Sequence, residues 1–323
     1  SKKIKLKFKS EENMKQCDSK IAILLATYNG EKYIQEQLDS LLDQSYQDFK
    51  IYIHDDDSKD MTVDILMKYK KMFPKKIEIL EGKSTGSPKN NFLYLLGNVD
   101  AEYYMFCDQD DFWKKDKVQK TYDKMIENEE KNKSKPILVF SDLEVVNEKL
   151  ESLSLSMNKL QNLKPNKIFI NDLLCQNVIT GCTVMINYYL RNLSLKLKEC
   201  ENIIMHDWWI SLVAAKYGII VYCDEQLILY RQHSKNNVGA KKLYSFKYLK
   251  SRLLNLKETR DSINKTRIQA EEFCNTFGMD DNYLIYLYSQ LSNVSKFRRI
   301  SFYIKNKIWK SGLVRNLGLI IYG

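Results

Sequence analysis

Short apolar runs ending in polar turns, each followed by apolar residues at helical spacing, recur through most of this chain. Ile21-Ala22-Ile23-Leu24-Leu25-Ala26 is the first such run, and its continuity suits a strand covered on both faces. It breaks at Thr27-Tyr28-Asn29-Gly30; Ile34, Leu38, Leu41 and Leu42 then predict a helix, and Phe49, Ile51 and Ile53 alternate as a second strand. That strand closes in His54-Asp55-Asp56-Asp57-Ser58, followed by a helix with Ile65, Leu66, Tyr69 and Phe73 on one face that stops before Pro74. A third strand over 77–80, a Gly/Ser loop over 82–88 and a helix carrying Phe92, Leu93, Leu95 and Leu96 lead to Tyr103-Tyr104-Met105-Phe106, a run that ends abruptly in acid. Strands alternating with helices imply a parallel sheet built from right-handed crossovers, whose ligand crevice lies beyond the C-terminal ends of the strands. The polar turns at 27–30, 55–58 and 108–111 should therefore open onto one edge.

Further along, 117–125 reads as a helix, Ile137-Leu138-Val139-Phe140 as a strand ending in Ser141-Asp142, and 147–170 as a polar surface excursion. Residues 177–186 read as a strand interrupted by Gly181, and a glycine there often marks close approach of backbone to a ligand. Met205-His206-Asp207-Trp208-Trp209 opens an apolar helix that runs to Tyr217, with Gly218 as its stop, and two strands over 219–223 and 226–230 deliver Arg231-Gln232-His233. From Lys241 the pattern turns helical and basic.

Charge sharpens this division. Residues 241–323 hold 16 Lys and Arg against 6 Asp and Glu, which leaves 35 of each in residues 1–240, so the whole excess of +10 sits in the tail. Between Lys296 and Arg315 there are seven basic residues and no acid, interleaved with Phe297, Ile300, Phe302, Tyr303, Ile308 and Trp309. Such a basic amphipathic surface with aromatics predicts contact with an anionic membrane, with a helix packed on its own domain and its charges merely solvated as the alternative. No stretch approaches 18 uninterrupted apolar residues, and the basic start of the chain lacks the apolar region of a secretory signal. Seven cysteines without paired spacing read as reduced core residues, and three histidines make a His-rich zinc site a poor fit. These features predict a cytoplasmic protein, peripheral at the inner face of the cell membrane.

The candidate chemistry concentrates in Asp108-Gln109-Asp110-Asp111. Carboxylates this crowded cannot all stay ionised at neutral pH unless solvent, a base or a metal offsets their repulsion. Hard oxygen ligands suit Mg²⁺ or Mn²⁺, which complete their shell with water and substrate phosphates. An Asp-x-Asp at the end of a strand thus reads as a clamp for a metal-bound diphosphate.

Together with Asp108-Gln109-Asp110-Asp111-Phe112-Trp113, the segments Ala26-Thr27-Tyr28-Asn29-Gly30, Asp55-Asp56, Ile179-Thr180-Gly181-Cys182-Thr183, His206-Asp207-Trp208-Trp209 and Tyr230-Arg231-Gln232-His233 resemble the family 2 glycosyltransferases in order and spacing. Within these inverting enzymes the chain is most similar to the bacterial rhamnosyltransferase-like group that builds surface polysaccharides. The resemblance spans roughly 20–240. It implies a GT-A fold, α/β with a mixed, mostly parallel sheet flanked by helices, preceded by a basic segment over 1–19 and extended by a basic helical region over 241–323.

It also implies roles for individual residues. Tyr28, beside Thr27, would stack on the base of a dTDP- or UDP-linked donor, and Asp56 or Asp55 would accept its ring N–H. Lys89 would lie near the base or diphosphate, Asp108 near the ribose, and Gly181 under the donor sugar. Asp110 would bind Mn²⁺ or Mg²⁺, with Asp108 and His233 completing the site, a hydrogen-bonded histidine being the alternative for His233. By their charge alone, Arg231 and Lys89 could pair with phosphate or stay solvated. Asp207 matches the catalytic base. Trp113, Trp208 and Trp209 are candidates for an apolar platform for a glycan or lipid-linked glycan acceptor, with burial in the core as the alternative for each. The family's Asp-Asp-Gly-Ser turn carries Asp57 at the glycine position, where Asp tolerates a positive φ better than most residues.

Two other functions compete. A nucleotidyltransferase that makes sugar nucleotides would need a Gly-rich phosphate loop after the first strand, which Thr27-Tyr28-Asn29-Gly30 does not supply. A nucleic-acid-binding protein driven by the basic tail conflicts with the neutral balance of residues 1–240 and the acidic crevice, so no nucleic acid is expected as a partner.

Overall fold

The computed structural model describes residues 19–233 and 256–323. The basic start of the chain, but for Ser19, and the expected boundary at 240/241 lie outside them. The first half follows the predicted alternation: β1 (Ile21–Thr27), α1 (Ile34–Leu42), β2 (Phe49–Asp55), α2 (Thr62–Met72), β3 (Ile77–Ile79), α3 (Pro88–Asn98) and β4 (Tyr103–Cys107). β1 is apolar on both faces because both are covered. Ile21, Ile23 and Leu25 join a core with α1 residues Ile34, Leu38 and Leu41, while Ala22 and Leu24 pack with α3 residues Phe92, Leu95 and Leu96. α3 starts where Ser87 caps it, its hydroxyl accepting from Asn90 N at 3.2 Å with Pro88 in the first turn.

The chain continues through β5 (Phe112–Trp113), α4 (Lys117–Lys131), β6 (Ile137–Val146), β7 (Ser152–Ser154), α5 (Met157–Leu160), α6 (Ile170–Leu173), β8 (Met185–Asn187), α7 (Tyr188–Ser194), α8 (His206–Tyr217) and β9 (Ile219–Arg231). Among the described residues the sheet runs β3-β2-β1-β4-β8-β6-β9-β5, with β7 beside β6. It is mixed, as a GT-A sheet should be, and less parallel than the alternation of strands and helices implied. β8 enters antiparallel between β4 and β6, and β5 lies antiparallel to β9. The strand expected over 177–186 shrinks to Met185–Asn187, because Gly181–Thr183 forms a single 3₁₀ turn ahead of it. The two strands expected over 219–230 are one, β9, whose pairing with β6 shifts register between Cys223 and Gln226.

Helix α8 does stop at Gly218, for a different reason than a left-handed cap. Gly218 has φ −141° and ψ −145°, and a Cβ there would stand 2.1 Å from the Pro136 carbonyl oxygen. Close approach of two backbones, not positive φ, demands the glycine.

The basic tail forms α9 (Leu256–Phe277), α10 (Tyr283–Ser289), α11 (Lys296–Lys305) and α12 (Leu313–Tyr322). Its apolar residues join the existing core: Ile263, Ala270, Phe273, Tyr288 and Leu319 pack in one cluster with Trp209 and Val213 of α8. Polar contacts aim the same way. The Glu272 carboxylate accepts from Glu199 N at 3.0 Å and Asn202 Nδ2 at 2.9 Å, and Gln269 Oε1 accepts from Ile204 N at 2.9 Å. The tail therefore fixes the loop that leads into α8. Among the described residues no helix is long and apolar enough to cross a membrane. All six cysteines described are free, and five of them are buried.

Candidate active site

A crevice of about 1790 Å³ opens beyond the C-terminal ends of β1, β2 and β4 and reaches the tail. Thr27, Tyr28, Asp56, Lys89, Asp108, Asp110, Gly181, Asp207, Trp208 and His233 line it; Asp55, Arg231, Trp113 and Trp209 do not.

The turn after β1 is built against the two acidic turns. Tyr28, 55% exposed, holds its ring in the crevice while Gln109 grips its backbone, Oε1 accepting from Tyr28 N at 2.8 Å and Nε2 donating to Tyr28 O at 2.9 Å. Gly30 leaves room for that grip: a Cβ there would stand 2.4 Å from Gln109 Oε1 and push the amide aside. Asn29, at φ 48°, donates its N–H to Ser58 Oγ at 2.8 Å. Gln109 was not singled out from the sequence; its place inside the Asp-x-Asp was the only signal. Gln109→Ala should weaken nucleotide binding roughly ten-fold or more, since it removes two hydrogen bonds worth ~0.5–1.5 kcal/mol each. Calorimetric titration with UDP checks this, and unchanged affinity would mean that Tyr28 needs no such support.

Asp55 and Asp56 are already bonded within the protein. Asp55 Oδ1 accepts from Thr27 Oγ1 at 2.8 Å and Ser58 Oγ at 2.6 Å, and its Oδ2 from Ser58 N at 2.8 Å, so it braces the turn. Asp56 faces the crevice but also holds the 84–86 loop, accepting from Thr85 N, from Thr85 Oγ1 at 3.0 Å and from Gly86 N at 3.0 Å. Asp57 takes φ 70°, as expected for an Asp standing at a glycine position.

In the central acidic turn, His233 Nε2 lies 2.7 Å from Asp110 Oδ2, at the wall of the crevice. Desolvation, then the charges of Asp110 and Asp207, push the Asp108 carboxyl up to about 7. Asp111 is buried beneath and accepts from Arg231 N at 3.2 Å; desolvation and then Asp110 and Asp108 hold its carboxyl well above the usual range. Crowding of this kind is what a divalent cation relieves; Asp110 and His233 meet at the crevice wall, and carboxylate and imidazole are donors that Mg²⁺ or Mn²⁺ can use. Ligand atoms of Asp108, Asp111 and Cys182 also lie within 4.8 Å of one another. Burial keeps the Cys182 thiol protonated, however, and a hard cation is poorly served by it.

Arg231 does not line the crevice. Its side chain is buried, with Nε donating to Asp110 O at 2.9 Å, Nη1 to Glu148 O at 2.5 Å and Nη2 to the Glu36 carboxylate. The guanidinium thus props the acidic turn from behind. Lys89 is likewise turned to protein, donating to the carbonyls of Cys200 at 2.7 Å and Ile203 at 2.8 Å.

Across the crevice, Asp207 sits in the first turn of α8. Its Oδ2 accepts from Gly181 N at 3.0 Å and its Oδ1 from Trp208 N at 2.6 Å. Desolvation pushes its carboxyl up to about 6, against the lowering effect of these N–H donors. One carboxylate, fixed by backbone and poised near neutrality, lines the same cavity as a crowded acidic turn and an exposed aromatic residue.

The sequence profile described as "Glycosyl transferase family 2" matches residues 22–186, just over half of the chain. The chain belongs to this family. The Shigella flexneri protein named "dTDP-rhamnosyl transferase RfbG" is 30% identical over 251 residues, covering 75% of this chain and 82% of that protein. "Poly(ribitol-phosphate) beta-N-acetylglucosaminyltransferase TarS" of Staphylococcus aureus is 35% identical over 104 residues, 31% of this chain and only 18% of its own length. In three dimensions the crystal structure of TarS residues 1–349 superposes with a TM-score of 0.51 at 19% identity, over 93% of this chain and 90% of that one. A mannosyltransferase from Pyrobaculum calidifontis in complex with GDP-Man and Mn²⁺ gives a TM-score of 0.51 at 11% identity, over 94% and 85%. These two establish the fold alone. Membership in the glycosyltransferases sets aside the nucleotidyltransferase alternative.

In this glycosyltransferase the three tryptophans separate. Trp113 is buried against Lys117, whose ammonium lies 4.3 Å from its ring centroid, and Trp209 is wholly buried with Nε1 donating to Ser194 O at 2.9 Å. Neither can form a platform. Trp208 alone reaches the crevice, its Nε1 tethered to Leu173 O at 2.7 Å. Of the other two histidines, His54 bonds Asn91 at 2.8 Å, and His206, at the crevice wall, packs 4.3 Å from Phe92, its pKa lowered to about 3 by burial.

Proposed function

We propose that this glycosyltransferase inverts configuration as it moves a sugar, with L-rhamnose the leading candidate, from a dTDP- or UDP-linked donor to a growing, lipid-linked surface polysaccharide. It would work in the cytoplasm at the inner face of the membrane, without a nucleic-acid partner. The observation that carries the reading is Asp207, a single desolvated carboxylate facing the crevice that Tyr28, Asp108 and Asp110 line. The similarity to a protein named as a dTDP-rhamnosyl transferase over most of both chains supports the choice of donor and sugar.

Inversion needs one base on the acceptor side. Asp207 would take the proton of the acceptor hydroxyl as that oxygen bonds to the anomeric carbon and the bond to the diphosphate breaks. The N–H groups of Gly181 and Trp208 hold the carboxylate in place, and the N-terminus of α8 favours its anionic form. Tyr28 would carry the base, its backbone fixed by Gln109. Asp110, His233 and Asp108 would hold Mn²⁺ or Mg²⁺, which when bound offsets charge on the departing diphosphate.

Calorimetric titration with UDP and dTDP, each with Mn²⁺ and with chelator, tests the reading. Metal-dependent binding that Asp110→Asn weakens is the expected result. Equal affinity with and without chelator would remove the metal from the proposal, and no binding of either nucleotide to folded protein would remove the donor site.

A further inference from the structure

The geometry points to α12 as a membrane-docking element that seats the acceptor end of the crevice on an anionic lipid bilayer. This rests on the glycosyltransferase reading only for the nature of the acceptor. The helix divides into two faces: Gly318 and Leu319 are buried against the body, whereas Leu313, Leu317 and Ile321 are 85%, 51% and 46% exposed. Residues four apart share a face, so these three form one apolar stripe that stands exposed among the described residues. Soluble proteins rarely leave such a stripe open without a partner.

Charge selects the partner. Residues 296–323 hold seven Lys and Arg and no acid, and Lys296, Arg298, Lys305 and Lys307 are exposed. On α11, Phe297 and Ile304, seven residues apart and therefore on one face, are 85% and 59% exposed among these cations. Apolar side chains ringed by positive charge suit the boundary between headgroups and acyl chains of an anionic bilayer. A second copy of the chain would bring the same cations face to face, which disfavours self-association through this surface.

The same helix borders the chemistry. Val314, Arg315 and Gly318 line the crevice into which Asp207 faces, so the stripe and the crevice wall are neighbouring faces of one helix. Its attachment is firm: Arg315 donates to Gln161 O at 2.8 Å and to Ser311 O at 3.0 Å, and Ser311 N donates to Gln176 Oε1 at 2.6 Å. A lipid-linked acceptor lying in the bilayer would then meet the crevice at its tail-side wall without leaving the membrane.

The test is co-sedimentation of the whole chain with vesicles of phosphatidylcholine alone and with about one part in four phosphatidylglycerol. Binding should require the anionic lipid, weaken in high salt, and fall about ten-fold or more in Leu313→Asp/Leu317→Asp. Leu313→Asp alone, at a position almost fully exposed, guards against misfolding of the double variant and should give a smaller drop in the same direction. UDP titration of the same samples should be unchanged by either variant. Vesicle binding equal in wild type and variants, no preference for anionic lipid, or a wild-type dimer that the variants split without change in vesicle binding would each overturn the inference. Loss of nucleotide binding by the wild type with vesicle binding intact would count against the enzyme reading and leave this one standing.

Discussion

Asp207→Asn is expected to lower sugar transfer by ~10²–10⁴-fold, the usual worth of a general base, while donor nucleotide binding stays within a few-fold. The carboxylate is bonded to Gly181 N, expected under the donor sugar, and to Trp208 N, and not to the residues assigned to the base, Tyr28 and Asp56. An amide can keep one of these bonds but cannot take a proton. The pH profile offers a second check. Desolvation raises the Asp207 carboxyl to about 6, so the base is ionised above that pH and protonated below it. Activity should therefore fall as pH drops through about 6, not near the ordinary aspartate value, and Asp207→Glu should keep some activity. Loss of nucleotide binding in Asp207→Asn would move the residue to the donor site.

Much of this site could be read in the sequence because its residues stand at the ends of strands. Tyr28, Asp56, Asp108, Asp110 and His233 each follow an apolar run that the core requires on its own account, so the periodicity that announces the strand also locates the turn. Direction was harder to read. Nothing in the order of residues says that β8 runs antiparallel between β4 and β6, because its three residues, Met185–Asn187, are too few to carry a pattern of their own. Long basic side chains are hard to aim for a related reason. Lys89 and Arg231 sit in the right segments, yet their charges end on backbone carbonyls and Glu36 that distant parts of the chain supply. The Gln109 grip on Tyr28 spans 81 residues and leaves no mark on periodicity. The tail looked like an appendage in composition, but Phe273 and Tyr288 complete a core begun by α8.

Trp208 and Trp209 show most sharply what adjacency in sequence conceals, and the second large effect is expected there. Trp209→Ala should destabilise the protein by ~3–5 kcal/mol, the range for removing a buried aromatic, measured as a shift in equilibrium urea unfolding. Its ring is fully buried, stacks on Phe277 at 6.0 Å and 18°, and lies 5.7 Å from Phe273, so it forms the seat on which α9 rests against α8. Without it the Ser194 carbonyl loses its indole donor, and the tail loses the apolar surface that holds Gln269 and Glu272 near the 199–204 loop. Successive helical residues point about 100° apart, so Trp208 emerges on the crevice side instead. Trp208→Ala should cost only about 1 kcal/mol for the lost bond to Leu173 O and act on acceptor KM. A Trp209→Ala protein as stable as wild type but weak for acceptor would reverse the two roles and return Trp209 to the acceptor platform.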